Sequence, residues 1–227
     1  VIGIVSPWNY PLQLALAPLV DAIAAGNRAI IKPSEHTVNF SDLLMRAIRD
    51  TFNEEVVSVV LGGPDVAADF TRQPFDHIVF TGSTPVGRKV AMAAAENLTP
   101  TTLELGGKSP ALICPSGSMT KAVKAIALGK FLNAGQTCIA PDYVLAPRDQ
   151  AMAFAELLMA EARRLYPELG PDYSSLINDS VFDRMTAAVN EAEQGGAKVM
   201  RHPAPSDRSR RVLPPVVVVS PPQASML

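Results

Sequence analysis

Two short segments of the sequence carry side chains that can act as a nucleophile and a base. Cys138 follows a Gly-Gln pair just after a predicted helix, and Glu104 ends a predicted strand shortly before two glycines. A thiolate is a strong nucleophile, and a carboxylate can take its proton or activate a later water molecule. The glycines allow close backbone approach and a positive φ. The pair indicates covalent catalysis, although a single cysteine is more often a small buried apolar side chain.

A polar turn near the start of the chain is a second candidate. Residues 6–11 read Ser-Pro-Trp-Asn-Tyr-Pro and lie between a predicted strand and a predicted helix. The Asn9 side-chain amide beside a helix start is suited to stabilising a developing oxyanion. A simple Asx turn with a packed Trp8 explains the same residues without a function. Both interpretations stay open at this point.

Two further segments are candidates for binding a nucleotide. Lys32 and Glu35 follow a predicted strand, and ligands of open α/β sheets bind at the carboxyl ends of strands. The two side chains can hold ribose hydroxyls or phosphate, and a solvated ion pair is an equally good interpretation. In residues 80–87, Gly82, the Ser83 hydroxyl and helix N–H groups can form a phosphate-binding turn. The segment matches neither G-x-G-x-x-G nor G-x-x-x-x-G-K-[ST], so it is not a standard Rossmann fingerprint or P-loop.

The elements that must position these residues alternate between extended and helical patterns. This alternation predicts an α/β fold with a parallel sheet, right-handed crossovers and helices on both faces. The segment 12–25 is apolar almost all round, so its helix is predicted to be buried. A second unit is predicted to begin near Glu104. The predicted strands are 1–5, 28–32, 56–61, 76–80, 110–114, 142–146, 197–201 and 212–219.

Composition and charge exclude several classes of protein. The chain is 48% hydrophobic and 19% charged with a net charge of -2, so no basic surplus favours nucleic acid or an anionic membrane. The longest apolar run is broken by Pro18 and Asp21, and no transmembrane span is predicted. Cys114 and Cys138 are the only cysteines, which favours a reducing compartment, and we expect the cytoplasm. Cys114 is predicted to be a core thiol. The three histidines lack metal-ligand spacing, so no metal site is expected.

Taken together, the motifs resemble those of the aldehyde dehydrogenase superfamily in order, spacing and residue type. The similarity extends over the whole chain. Residues 139–144 and Asn9-Tyr10 resemble the branch that contains coniferyl aldehyde dehydrogenases and the class-3 enzymes for fatty and aromatic aldehydes. The five segments are Trp8-Asn9, Lys32-Pro33-Ser34-Glu35, residues 80–87, Glu104-Leu105-Gly106-Gly107-Lys108 and Asn133-Ala134-Gly135-Gln136-Thr137-Cys138.

The resemblance implies two domains and a mechanism. A Rossmann-like NAD(P)-binding domain is expected over residues 1–103 and an α/β catalytic domain over residues 104–227, both incomplete. Cys138 would attack the aldehyde and form a thiohemiacetal, whose oxyanion Asn9 and the Cys138 backbone N–H would stabilise. After oxidation, Glu104 would activate the water that hydrolyses the thioester. The product would be a carboxylic acid from an aromatic or medium- to long-chain aldehyde.

The resemblance also implies a nicotinamide cofactor and an oligomeric parent. NAD is expected to be preferred, with NADP usable. The parent is expected to be a homodimer or homotetramer. The implied cofactor-binding residues are Lys32 and Glu35 at the adenosine ribose, Gly82 and Ser83 at the pyrophosphate, and Thr81 and Trp8 beside the nicotinamide.

Two alternative functions remain open. A CoA-acylating semialdehyde dehydrogenase is one, but such enzymes tend to lack the hydrolytic base that Glu104 would provide. A non-catalytic nucleotide-binding protein is the other, and the presence of Cys138, Glu104 and Asn9 together argues against it. The family's Glu-Ile-Phe-Gly-Pro motif, whose glutamate binds the nicotinamide ribose, does not occur in the 227 residues. We therefore expect a part of a longer protein that is inactive by itself.

Overall fold

The computed structural model of the protein describes residues 1–223. The chain divides into two compact units, Val1–Gly106 and Gly107–Leu227. The sequence placed the boundary just before Glu104, whereas the division follows Gly106, so Glu104 lies in the first unit as the last residue of a sheet strand. The predicted end of the second domain, Leu227, lies outside the described residues.

The first unit is built on a five-stranded parallel sheet with the strand order β3-β2-β1-β4-β5. A helix follows each of the first four strands, as parallel pairing requires. The chain moves outward from β1 to β3 and then returns to the other side of β1, so strand order reverses between β1 and β4. The elements are β1 (Ile2–Val5), α1 (Pro11–Ala24), β2 (Ala29–Lys32), α2 (Val38–Thr51), β3 (Val57–Val59), α3 (Pro64–Thr71), β4 (His77–Thr81), α4 (Thr84–Ala95) and β5 (Thr101–Glu104).

Two apolar clusters cover the two faces of this sheet, which explains why its strands read as β-branched runs. One cluster packs α1 and α2 against β1 and β2, and the other packs α3 and α4 against β4. At Gly3 a Cβ atom would lie 2.9 Å from the Phe75 ring, so only glycine allows this ring to pack on β1. The largest side chains of the two apolar clusters are Ile4, Leu19, Ile31, Leu44 and Ile48 on one face of the sheet and Phe70, Phe75, Ile78, Phe80 and Val90 on the other.

The prediction that α1 is buried all round is wrong. Ala15, Leu19 and Ala22 form one buried stripe, whereas Leu12 is 58% exposed and Val20 is 64% exposed. Residues three and four apart share one helix face, and a single sheet can cover only one such stripe. Apolar composition therefore overstated the burial of this helix within the chain.

The second unit contains three α-helices and two small sheets among its described residues. Ser118 caps α5, with its Oγ accepting from the Lys121 N–H at 3.4 Å, and α6 begins after Gln150. The predicted strand 212–219 shortens to four residues because Pro214 and Pro215 lack the N–H groups that a ladder needs. The elements are β6 (Ser109–Leu112), α5 (Met119–Phe131), β7 (Pro141–Leu145), α6 (Ala151–Leu165), α7 (Asp179–Gln194), β8 (Lys198–Arg201) and β9 (Val216–Val219).

Pairing in the second unit is parallel between β6 and β7 and antiparallel between β8 and β9. Its core lies between α5 and α6, and β6 and β7 pack against it through Ala111 and Val144. None of the helices within residues 1–223 combines the length and apolarity needed to cross a bilayer. The core residues of α5 and α6 are Val123, Ile126, Ala127, Phe131, Phe154, Leu158, Met159 and Ala162.

Candidate active site

The parallel sheet of the first unit brings its candidate residues to one edge. Trp8 and Asn9 follow β1, Lys32 is the last residue of β2, and Thr81 is the last residue of β4. Glu104 ends β5 and lies in register with Thr81. Because all five strands run in the same direction, their carboxyl ends share an edge, and open α/β sheets bind ligands where the strand order reverses, which here is between β1 and β4.

Lys32 is buried, with only 2% of its side chain exposed, and Glu35 is 38% exposed. The Lys32 Nζ donates to the Pro33 carbonyl at 2.9 Å and to Glu35 Oε2 at 3.3 Å. Burial raises the pKa of Glu35, but its own backbone N–H and the Lys32 ammonium outweigh burial and hold that pKa below its ordinary value. The interpretation as a solvated pair is therefore wrong for Lys32, whose buried ammonium needs such partners, whereas Glu35 is exposed.

The turn between β4 and α4 places the Ser83 hydroxyl at the start of a helix. At Gly82 a Cβ atom would lie 2.6 Å from the Phe80 ring, so the turn packs tightly over that ring. The Gly82 N–H donates to the Glu104 carbonyl at 2.9 Å, which ties the turn to β5. Ser83 is the exposed N-cap of α4, and its hydroxyl does not cap the helix. This hydroxyl and the first N–H groups of a 12-residue helix can receive an anion.

Trp8 and Asn9 are half-buried in the bend that joins β1 to α1. The N-cap position of α1 belongs to Tyr10, which makes no side-chain cap hydrogen bond. The bend begins at Ser6, whose N–H donates to the Lys32 carbonyl at 3.1 Å. The segment that carries Asn9 is thereby attached to the end of β2.

Cys138 lies in the second unit, in a loop three residues before β7, and it is exposed. Helix α5 ends at Phe131, and the backbone enters the left-handed region from Asn133 onwards. Asn133, Ala134 and Gly135 have φ values of 51°, 52° and 79°. Such a conformation costs about 1–2 kcal/mol for a residue with a Cβ, although asparagine tolerates it better. The nucleophile candidate therefore follows a strained turn.

Cys114 is also exposed, so its assignment as a core thiol is wrong. Strand β6 ends at Leu112, two residues earlier than predicted, and the Gly117 N–H donates to the Cys114 carbonyl at 2.9 Å in the turn that follows. A residue in a surface turn is exposed even when the preceding sequence is apolar. The second thiol is thus accessible in solution.

Close backbone approach, and not a positive φ, explains the glycine at position 107. Neither Gly106 nor Gly107 has a positive φ, so that part of the prediction is wrong. At Gly107 a Cβ atom would lie 2.8 Å from the Cys138 carbonyl oxygen. Gly107 and the Cys138 backbone, which both belong to the second unit, are therefore in direct contact.

Two sets of polar contacts fix the ends of the cysteine loop. Asp142 on β7 pairs with the Lys108 ammonium, and its other oxygen lies 3.7 Å from the Lys130 Nζ at the end of α5. The side-chain amide of Gln136 forms hydrogen bonds with three backbone groups. Ion pairs of Asp142 and hydrogen bonds of the Gln136 side-chain amide thus hold the residues before and after Cys138 in place.

A model of the aldehyde dehydrogenase family matches residues 1–227 of the sequence. The chain belongs to the aldehyde dehydrogenase family. A probable coniferyl aldehyde dehydrogenase of Caulobacter vibrioides is 46% identical over 227 residues, which cover 97% of this chain and 47% of that protein. A coniferyl aldehyde dehydrogenase of Pseudomonas sp. strain HR199 is 43% identical over 229 residues, which cover 96% of this chain and 47% of that protein. The chain thus spans about half the length of the curated relatives it matches.

Solved aldehyde dehydrogenases share the fold. The substrate-bound Staphylococcus aureus AldH superposes with a TM-score of 0.91 at 38% identity, over 99% of this chain and 49% of that chain. A Mycobacterium tuberculosis aldehyde dehydrogenase complexed with NAD+ superposes with a TM-score of 0.88 at 28% identity, over 99% of this chain and 48% of that chain. These matches confirm the predicted α/β fold with a parallel sheet.

Sequence reasoning assigned no role to Gln136, Lys108 or Asp142 in this aldehyde dehydrogenase chain. Gln136 and Lys108 stand inside two of the motifs that carried the resemblance, and that position was the available signal. Asp142 lies on β7 and stands inside residues 139–144, which carried the resemblance to one branch of the family. Within the described part of the chain, no three His, Cys, Asp or Glu side chains are grouped to hold a metal.

Proposed function

We propose that the full-length protein oxidises an aldehyde to a carboxylic acid with NAD(P), using Cys138 as its nucleophile. The observation that carries the proposal is the exposed Cys138 in a loop held by backbone and ionic contacts, within a chain of this family. A thiolate must be accessible to its substrate and fixed in place to attack a carbonyl carbon efficiently.

The proposed steps assign three roles to residues of the chain. The Cys138 thiolate adds to the carbonyl carbon, and the Asn9 amide and the Cys138 backbone N–H donate to the oxyanion that forms. A bound nicotinamide cofactor would accept the hydride that leaves this carbon. Glu104 then takes a proton from the water that attacks the resulting thioester, which releases the acid and restores the thiolate.

The residues present fit a dinucleotide of this kind. The buried Lys32 and its partner Glu35 present an ammonium and a carboxylate to ribose hydroxyls at the end of β2. The Ser83 hydroxyl and the N–H groups at the start of α4 suit the pyrophosphate. Glycine is needed at position 82 because a larger residue would strike the Phe80 ring. Thr81 and Trp8 are assigned to the nicotinamide side by the family resemblance.

The proposed cofactor preference is NAD, with NADP accepted. A carboxylate at Glu35 repels a 2′-phosphate, and an ammonium at Lys32 attracts one. A glutamate carboxylate is ionised at neutral pH, and the negative charge at Glu35 supports NAD. A kcat/KM that strongly favours NADP would contradict this assignment.

The proposed substrates are aromatic or medium- to long-chain aldehydes, in line with relatives named as coniferyl aldehyde dehydrogenases. Two thiols that form no disulfide support a reducing compartment, for which we propose the cytoplasm. Assembly of the parent as a homodimer or homotetramer follows from the family resemblance. A panel of coniferyl, benzyl and aliphatic aldehydes tests the substrate class, and turnover confined to short semialdehydes with CoA would favour the acylating alternative.

The two cysteines provide a matched test of the nucleophile. In the full-length protein, Cys138→Ala is expected to abolish NADH formation, because no other group in the proposal attacks the carbonyl. Cys114→Ala removes a thiol that is also exposed, and most of the activity is expected to remain. Initial rates of NADH production measure both. Equal loss from both substitutions, or loss from neither, would contradict the proposal.

A further inference from the structure

Gln136 makes a three-point contact with the backbone just before Cys138. Its Nε2 donates to the Asn133 carbonyl at 3.1 Å and to the Ser175 carbonyl at 3.0 Å. Its Oε1 accepts from the Ile177 N–H at 2.9 Å. The carbonyl of one residue and the N–H two residues later lie on the same edge of an extended segment, so the amide pairs with residues 175–177 as a strand residue would.

The segment 175–177 is itself held from its other side. The Leu176 N–H donates to the Arg211 carbonyl at 2.9 Å, and the Arg211 Nε donates back to the Leu176 carbonyl at 2.9 Å. Nearby, the buried Tyr173 donates its hydroxyl to the Leu213 carbonyl at 3.0 Å. Gln136 therefore attaches the cysteine loop to a segment that has little freedom of its own.

The loop needs such an attachment because its backbone is strained. Asn133 and Ala134 are left-handed, a conformation that residues with a Cβ adopt only when surrounding contacts impose it. The bond from Gln136 Nε2 to the Asn133 carbonyl closes this turn, and the two bonds to residues 175–177 fix its direction. Gln136 lies two residues before Cys138, so the same contacts set where the thiol can be.

We propose that Gln136 is a positioning residue that holds the Cys138 loop in its reactive conformation, an inference that rests on the proposed function of Cys138. Gln136 does not take part in the chemistry in this account. Loss of its amide lets the strained turn relax and moves the thiol away from its site of attack.

The first experiment compares Gln136→Leu with the wild-type full-length enzyme. A misplacement of about 1 Å costs about 10²-fold in rate, so kcat is expected to fall by that order while the KM for NAD stays unchanged. Alkylation of the Cys138 peptide by iodoacetamide, followed by mass spectrometry, is expected to slow in parallel. The control is Gln194→Leu, which alters an exposed glutamine at the end of α7 and is expected to leave both rates unchanged.

A second variant gives a readout that a general loss of stability does not produce. In Gln136→Glu the ionised carboxylate can still accept from Ile177 but cannot donate to either carbonyl, whereas the protonated carboxyl regains one donor. The ratio of its Cys138 alkylation rate to that of the wild type is therefore expected to rise as the pH falls from about 6 to about 4, across the ordinary glutamate pKa of about 4.3. A ratio that stays flat or falls over this range overturns the proposal.

The remaining outcomes also decide the question. Values of kcat and alkylation rate within about twofold of the wild type in Gln136→Leu overturn the inference. If that variant is insoluble, Gln136→Asn replaces it, because its amide is one methylene too short to reach residues 175–177. Slow alkylation of Gln136→Asn in a folded protein supports the proposal, and a wild-type rate overturns it. Retained activity in Cys138→Ala would instead defeat the proposed function, so the two failures are distinguishable.

Discussion

At the scale of single residues, Lys32 and Glu35 show how burial changes what a charge pair does. The Lys32 ammonium is 2% exposed, so Glu35 and the Pro33 carbonyl replace the water that it has lost. An exposed ion pair contributes little to stability, but removing one partner of a buried charge leaves that charge uncompensated. The pair therefore matters to the folded state as well as to a ligand.

This arrangement predicts a pH dependence of stability. The pKa of Glu35 is lower in the folded chain than in the unfolded chain, so its contribution is present at neutral pH. The contribution begins to fall below the ordinary glutamate pKa of about 4.3 and is lost as the pH passes through the lowered folded value. Glu35→Gln is expected to unfold at lower temperature than the wild type at neutral pH, and the difference is expected to shrink as the pH falls.

Thermal denaturation of both proteins, followed by circular dichroism between neutral and acidic pH, measures this effect. Asp50→Asn is the control, because Asp50 pairs with Arg49 on the surface, where both side chains are about 70% exposed, and such pairs add little. If the difference in unfolding temperature between Glu35→Gln and the wild type grows towards acidic pH, the folded state favours the protonated form of Glu35 instead.

Glu104 allows a second prediction at this scale. In the full-length enzyme, Glu104→Gln is expected to give a burst of NADH followed by slow turnover, because only thioester hydrolysis needs the carboxylate. Loss of a general base typically slows its step about 10²–10⁴-fold. The substitution leaves the backbone carbonyl that receives the Gly82 N–H, so the β5 edge is expected to stay intact.

Rapid-mixing measurements of NADH absorbance separate the burst from the steady state. Glu96→Gln at the end of α4 makes the same chemical change at an exposed position and is expected to behave as the wild type. Normal steady-state turnover in Glu104→Gln would remove Glu104 from the mechanism.

At the scale of elements, the contact between the Gly107 segment and the Cys138 loop predicts different outcomes for two neighbouring glycines. In Gly107→Ala the new Cβ would lie 2.8 Å from the Cys138 carbonyl oxygen, and a backbone oxygen cannot move without moving its residue. In Gly106→Ala the new Cβ would have nothing within 4 Å. We expect kcat of the full-length enzyme to fall about tenfold or more in Gly107→Ala and to stay close to the wild type in Gly106→Ala.

Steady-state kinetics and thermal denaturation of the two alanine variants provide the comparison. Neither glycine has a positive φ, so a backbone penalty does not separate them. Equal kcat values in the two variants would mean that the loop accommodates the extra methyl group, and that close packing at Gly107 does not position Cys138.

At the scale of the whole molecule, the sheet of β6 and β7 presents apolar side chains on its outer face. Leu112 is 71% exposed and its register partner Leu145 is 53% exposed, and Pro110 and Tyr143 form the neighbouring exposed pair. Contiguous exposed apolar side chains and open sheet edges promote association of chains. This face therefore favours self-association of the 227-residue chain in solution.

We expect residues 1–227, expressed alone, to form concentration-dependent oligomers, and Leu112→Lys combined with Leu145→Lys to reduce them. Size-exclusion chromatography with light scattering over a range of concentrations measures the effect. The control combines Met92→Lys with Val20→Lys, which adds the same charge at exposed apolar positions of α4 and α1. A monodisperse monomer in the unaltered chain, or an equal effect of both double variants, would contradict this account.

Local patterns in the sequence were sufficient for the order of the strands and helices along the chain and for the position of Glu104 at a strand end. These features depend on residues that are close in sequence, such as β-branched runs, the proline at the start of α1 and the glycines that follow strands. The motif segments also identified the family, because their order and residue types are a property of the chain itself.

Tertiary structure alone decided the surroundings of these residues. The burial of Lys32, the exposure of Cys114 and Leu12, and the close approach of Gly107 to Cys138 depend on which segments pack together. The amide contact of Gln136 reaches residues 39 and 41 positions away. A pattern with a period of two or 3.6 residues carries no information about partners at such separations, so only the packed chain determines what surrounds each chemical group.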